Sequence, residues 1–294
     1  MKTSSLNYNF KPLLNATKGN VLTFPFALTT NQLYFLLFIF SFNNATADNQ
    51  TYELSTGLDY IYFEEKSSTN ISVKEHGVIP TIHTAYKNTN ARQFSVISSY
   101  LSAGKINYDG KTQANKKIKS SSYATIANID FILGHWFHTK VSSKTGFTIG
   151  AGYRYWDRAI QSTNTALGLR EKYTWNYASM GIRFRHTLQS KNTIQLSTEI
   201  LKPFNAVINI EQKNSFDSID LILRPQISFR LNGEWLKLYN PQHLLFLAFK
   251  LEVWRMDKSN TRQLTINNLP SDFSITEPAS FSLQAGLTAG LKWK

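Results

Sequence analysis

Nine charged residues sit where a two-residue period puts them on the polar side of otherwise apolar segments. They are Asp59, Asp130, Arg154, Glu199, Asp220, Arg224, Arg230, Lys250 and Glu252, five acids and four bases in near balance. Charges of both signs enclosed by strands pair with one another, because a lone charge in a narrow lumen is poorly solvated. The expected chemistry is a closed ionic network, with a narrow path for ions or a small polar solute as the alternative. Hydrolysis finds less support. Of the six histidines, His76, His83, His135, His138, His186 and His243, none follows an aspartate by two positions, and only His76 has an acid, Glu75, beside it in the sequence. Serine is abundant enough for a Ser–His pair to arise by chance. His135-x-x-His138 has ligand spacing on a helix, but on a strand the two side chains point to opposite faces. The Gly-x-Gly of GAGYRYW is followed by no helix, which a phosphate-binding loop requires. No catalytic residue, metal ligand or cofactor is expected, and so no enzyme.

The strands that must carry these charges are most legible at the C-terminus. Phe281, Leu283, Ala285, Leu287, Ala289, Leu291 and Trp293 alternate with Ser282, Gln284, Gly286, Thr288, Gly290 and Lys292. One apolar and one small or polar face over roughly 9–11 residues is what a tilted transmembrane strand needs. The same alternation predicts nine more strands, about residues 52–63, 77–87, 92–107, 123–134, 146–156, 172–185, 194–200, 219–230 and 245–254. Pro80 lacks a donor, which places it near a strand end or a bulge. In the sixth strand Tyr173, Trp175 and Tyr177 share one phase and Met180, Ile182 and Phe184 the other, which predicts a bulge near Ala178. In the eighth, Ile219, Leu221, Leu223, Ile227 and Phe229 are expected to face lipid, against Asp220, Arg224, Gln226 and Arg230.

Odd-numbered connections are long, about residues 64–76, 108–120, 157–171, 204–217 and 257–279. Even ones are mostly short, about 88–91, 138–145 and 186–191, with 232–243 long enough to hold a helical turn. Long extracellular loops opposite short periplasmic turns are the asymmetry of an all-β, ten-stranded antiparallel up-and-down transmembrane β-barrel.

Leu33–Phe42 is ten apolar residues, too short to span a bilayer as a helix. Ala45-Thr46-Ala47 follows as an A-x-A cleavage site, and Lys2, Lys11 and Lys18 precede it as a positive n-region. Residues 1–47 are read as a signal peptide with a long n-region and 48–294 as a barrel exported to the cell outer membrane. With no cysteine, no disulfide framework supports the exported fold. Aromatics reach 14% without long apolar runs, as when a lipid face is diluted by a polar lumen face. Loss of the leader, with three lysines and no acid, lowers the formal charge from +13 to +10. This surplus is dispersed and forms no stripe for nucleic acid. Lys111, Lys116, Lys117 and Lys119 form the one basic run, in an expected solvated loop suited to lipopolysaccharide phosphates.

YELSTGLDYIYFEE, KINYDG, GAGYRYWDR and ITEPASFSLQAGLTAGLKW, in that order, resemble a group of uncharacterised Gram-negative outer-membrane β-barrels. The resemblance implies the barrel and its membrane, and brings no activity with it. The last strand is similar to the assembly signal of such barrels and implies the barrel-assembly machinery as a partner, although Lys294 follows the terminal aromatic Trp293. Omptin proteases share this length and strand count. Kinship with them implies an Asp-x-His pairing with acids at the extracellular rim, which this sequence lacks. The expected role is a surface-exposed structural or interaction protein whose loops meet lipopolysaccharide, a host molecule or a phage. A small porin or transporter is the alternative.

Overall fold

The computed structural model describes residues 49–66, 72–111, 117–140, 142–164, 166–188, 192–212 and 215–293. The leader, its cleavage point and Lys116 lie outside them. Seven strands follow in order: β1 Asn49–Lys66, β2 Ser72–Thr89, β3 Gln93–Lys111, β4 Lys117–Thr139, β5 Ser143–Ile160, β6 Leu169–Thr187 and β7 Asn192–Gln212. The eighth wall of the ring is made of three pieces, β8 Phe216–Ile222, β9 Arg224–Pro225 and β10 Ser228–Asn240. β11 His243–Asp257 is the ninth wall, β12 Arg262–Ile266 and β13 Leu269–Ile275 form a separate hairpin, and β14 Ala279–Trp293 is the tenth wall. Each wall pairs antiparallel with the next, and β14 returns to β1 from Tyr52↔Trp293 to Lys66↔Ala279. Pairing of β10 with β7 closes the ring, while β8, above it, pairs with β7 alone.

A belt of apolar side chains faces outward, with aromatic residues at both margins. Tyr52, Tyr86 and Trp293 pack together at the end that carries the termini, and Tyr62 meets Phe281 toward the loop end. The ten steps from Tyr52 to Tyr62 rise about 25 Å at a strand tilt near 40°, the height of a membrane barrel's apolar band.

Above the belt the strands continue and the sign of the alternation inverts. β4 has 23 residues and β7 has 21, about twice what the bilayer requires. There the outward positions of β6 are Arg170, Lys172, Thr174 and Asn176, while Tyr173, Trp175 and Tyr177 are buried inside. They join Phe63, Ile79, Ile126, Trp156, Leu201, Ile208 and Trp254 in a side-chain core. The segments expected as long loops are therefore mostly strand, and the first three loop-end connections shrink to residues 67–71, 112–116 and 161–168. β6 keeps one phase throughout, with no bulge at Ala178. The register shift lies on β7 opposite Thr174 and Asn176, where Asn205 has a φ of 51°.

The eighth wall departs furthest from expectation. Leu221 and Leu223 are buried inside, and Asp220 and Arg224 are exposed on the outer surface. The two-residue phase is lost between Pro225 and Ile227, so that Ser228 and Arg230 point inward again. Leucine above the belt seeks the interior, because outside it there is water and not lipid. Asp220 and Arg224 thus leave the lumen network, and Leu223 leaves the lipid face. Pro80 sits in mid-strand, where the β2–β3 ladder skips from His76↔Asn107 to Thr81↔Ser102. The segment expected to hold a helical turn, 232–243, is strand up to a tight turn at Pro241 and Gln242.

Candidate functional site

Polar side chains from every wall meet in the lumen, and two arginines organise them. Arg154 on β5 donates through Nη1 to Glu252 Oε2 at 2.6 Å and through Nη2 to Gln284 Oε1 at 2.7 Å. Its guanidinium lies 5.2–5.9 Å from the ring centres of Trp254, Trp175 and Tyr100. Arg230 on β10 donates through Nε to Glu252 Oε1 at 2.7 Å, and through Nη1 to Asp130 at 2.9 Å and Glu199 at 3.3 Å. Its Nη2 reaches the Tyr177 hydroxyl at 3.0 Å. Glu252 therefore takes one guanidinium on each oxygen. Asp59 accepts from Ser102 and from Gln284 Nε2, and the Ser102 hydroxyl also meets that of Thr81 on β2 at 2.9 Å. Lys250 places its ammonium 3.4 Å from the centre of the Tyr100 ring.

The structure thus brings together Asp59, Asp130, Arg154, Glu199, Arg230, Lys250 and Glu252 and leaves out Asp220 and Arg224. Small residues make the room. A Cβ on Gly152 would stand 2.3 Å from the Tyr177 ring, and one on Gly286 would stand 2.2 Å from Asp59 Oδ1.

A second charged layer lies nearer the loop end, above the belt, built from residues in segments expected as loops. Arg158 is two inward positions beyond Arg154 on the same strand, a spacing that was visible in GAGYRYWDR. It is fully buried, 3.9 Å from the centre of the Phe63 ring. It bonds Glu65 at 2.9 Å, Glu171 at 2.7 Å and Glu75 at 3.1 Å. Glu277, from the last connection, accepts from Tyr173 Oη at 2.6 Å. Glu65, Glu171 and Glu277 bring carboxylate oxygens within 4.8 Å of one another, a donor set for a hard cation. Arg158 already serves as the cation bonded to Glu65 and Glu171.

One guanidinium cannot hold four carboxylates ionised. Burial pushes Glu171 up to about 7, against the pull of Arg158 and with the help of Glu65 and Glu75. Burial, reinforced by Glu65 and Glu171, holds Glu277 well above the usual carboxylate range. A raised folded value means that the folded state binds more protons. The stability contributed by Glu171 is full below its ordinary 4.5 and is lost as pH rises through about 7. The connection carrying Glu277, residues 258–278, should therefore be cleaved faster by an added protease at pH 8 than at pH 5.5. Glu171→Gln should flatten that difference, and equal rates in the wild type at both pH values would refute the assignment.

At the terminus end, Lys292 on β14 bonds Glu53 at 2.6 Å and also Glu234. The histidines are scattered. His76 is on an outward position of β2, on the opposite face from Glu75, and His83 faces the lumen. His135, His138, His186 and His243 fall at the terminus ends of their strands. Lys111 ends β3, and Lys117 and Lys119 are exposed on outward positions of β4 above the belt.

No family model matches the chain, and no curated protein matches its sequence. Among solved structures it is similar to the outer-membrane protease OmpT of Escherichia coli, with a TM-score of 0.62 at 11% identity, covering 84% of this chain and 97% of that one. The translocator domain of the autotransporter NalP from Neisseria meningitidis aligns with a TM-score of 0.38 at 9% identity over 90% of this chain and 95% of that one. The toluene transporter TodX of Pseudomonas putida gives 0.38 at 7% over 84% and 89%. The fold is that of an outer-membrane β-barrel.

Proposed function

We propose that this chain is a plugged outer-membrane barrel, a structural and interaction protein that presents its loop end to the outside of the cell. The observation that carries this reading is the Arg154–Glu252–Arg230 network, bonded to residues from opposite walls and buried beneath an aromatic core. Barrels near eight strands are just wide enough for side chains to fill, and an open aqueous channel needs about sixteen. On this reading the termini are periplasmic and the walls above the belt stand outside the outer leaflet. Lys111, Lys117 and Lys119 are placed to meet lipopolysaccharide phosphates, and β14 is the strand offered to the assembly machinery. The OmpT likeness extends to fold. Hydrolysis is left out of this reading, because among the described residues no histidine is paired with an acid on the inner face of the loop end.

Reconstituted in planar bilayers, the wild-type barrel should show no stable single-channel current. The variant carrying Arg230→Ala and Glu199→Ala should show currents, because both sides of the plug are then trimmed. Large steady currents from the wild type would instead establish the porin reading.

A further inference from the structure

Beneath the plug, on the periplasmic side, the lumen holds a cavity of about 180 Å³, several times the room one water needs. The acids on its wall are each committed. Glu53 and Glu234 are held by Lys292, Glu252 by both arginines, Asp130 by Arg230 and Tyr177, and Asp59 by Ser102 and Gln284. The bases are not. Among the described residues Lys87 reaches only Gln195 Oε1, at 3.5 Å. Arg183 is 93% buried, packs 4.9 Å from the centre of the Phe94 ring, and leaves its Nε without a partner. Among the described residues neither cation lies within 4.0 Å of a carboxylate, although both line the cavity with His83 and Lys250.

Two enclosed cations with no carboxylate in ion-pair contact, the nearby acids being already bonded to Lys292 and Arg230, are costly unless an anion joins them. We propose that this cavity binds a phosphate-sized oxyanion between Lys87 and Arg183. The guanidinium offers a forked donor to two oxygens, and the ammonium supplies a third contact and a second charge. Aliphatic and aromatic wall from Ala85, Val96, Ile132 and Phe246 limits the size of what can enter. The site is independent of the loops and goes beyond the structural and interaction role proposed for them.

The test is calorimetric titration of inorganic phosphate into the full barrel, refolded in phosphate-free buffer, with chloride at matched ionic strength as the control. Saturable binding at one site is expected. Lys87→Gln and Arg183→Gln should each weaken it roughly tenfold or more, and Arg183→Lys should weaken it less. Lys202→Gln, exposed on the outer face of β7, should leave it unchanged. If Arg183→Gln does not fold, Lys87→Gln and Arg183→Lys carry the comparison. Absence of saturable phosphate binding, or binding that persists unaltered in Lys87→Gln, would overturn the proposal.

Discussion

Replacing Arg230 by Ala should cost about 3–5 kcal/mol of unfolding free energy, the range for removing one partner from a buried ion pair. Arg230 answers Glu252, Asp130 and Glu199 at once and also reaches the Tyr177 hydroxyl. Its loss leaves Glu252 to Arg154 and strands Asp130 and Glu199 in an enclosed lumen. The penalty belongs to the orphaned acids more than to the missing bonds. Arg230→Met combined with Asp130→Asn and Glu199→Gln should therefore recover a large part of it, since a buried network exchanged for neutral groups of similar volume is often close to neutral in stability. Urea unfolding in lipid vesicles measures both variants. A cost below about 1 kcal/mol for Arg230→Ala would mean that water screens the network as it screens a surface pair, and the plug would lose its physical basis.

Phe131→Arg should cost about 2–4 kcal/mol, because Phe131 faces outward near the middle of the belt, opposite Ala151. Leu223→Ala should cost about as much, roughly 2–5 kcal/mol, for a different reason: it opens a hole in the core above the membrane. The two are separated by moving each charge along its wall. Arginine at Tyr123, near the upper margin of the belt, should be nearly neutral, since the lipid penalty falls to about 0–1 kcal/mol at the interface. Arginine at Leu223 should be severe, although it lies farther from the midplane. A Leu223→Arg variant as stable as the wild type would restore that residue to the outer surface and overturn the inverted alternation above the belt.

That inversion separates what could be read in the sequence from what could not. Inside the bilayer the solvent on the outer face is hydrocarbon, so a period of two has one meaning: apolar is out and polar is in. Tyr52 to Tyr62, Phe147 to Tyr155 and Phe281 to Trp293 announce lipid-facing strands for that reason, and their count predicts a ring of ten walls. Asp59, Asp130, Arg154, Glu199, Arg230, Lys250 and Glu252 were legible as inward for the same reason, since each shares a strand with lipid-facing neighbours. Above the membrane the outer solvent is water, and the same period reverses its sign. Tyr173, Trp175, Leu221 and Leu223 are apolar because they are inside, and nothing local in the chain marks where the change occurs. The apparent bulge at Ala178, the misplaced Asp220 and Arg224, and the strands taken for loops share that single cause. Partnership was beyond local reading altogether. Arg154 and Glu252 are 98 residues apart, and Tyr173 and Glu277 are 104 apart. Alternation can say that each such group faces the lumen. Only closure of the sheet sets the height and the angle at which two inward groups meet, and so decides that Glu252 is shared by two arginines while Lys87 and Arg183 have, among the described residues, no acid within ion-pair distance.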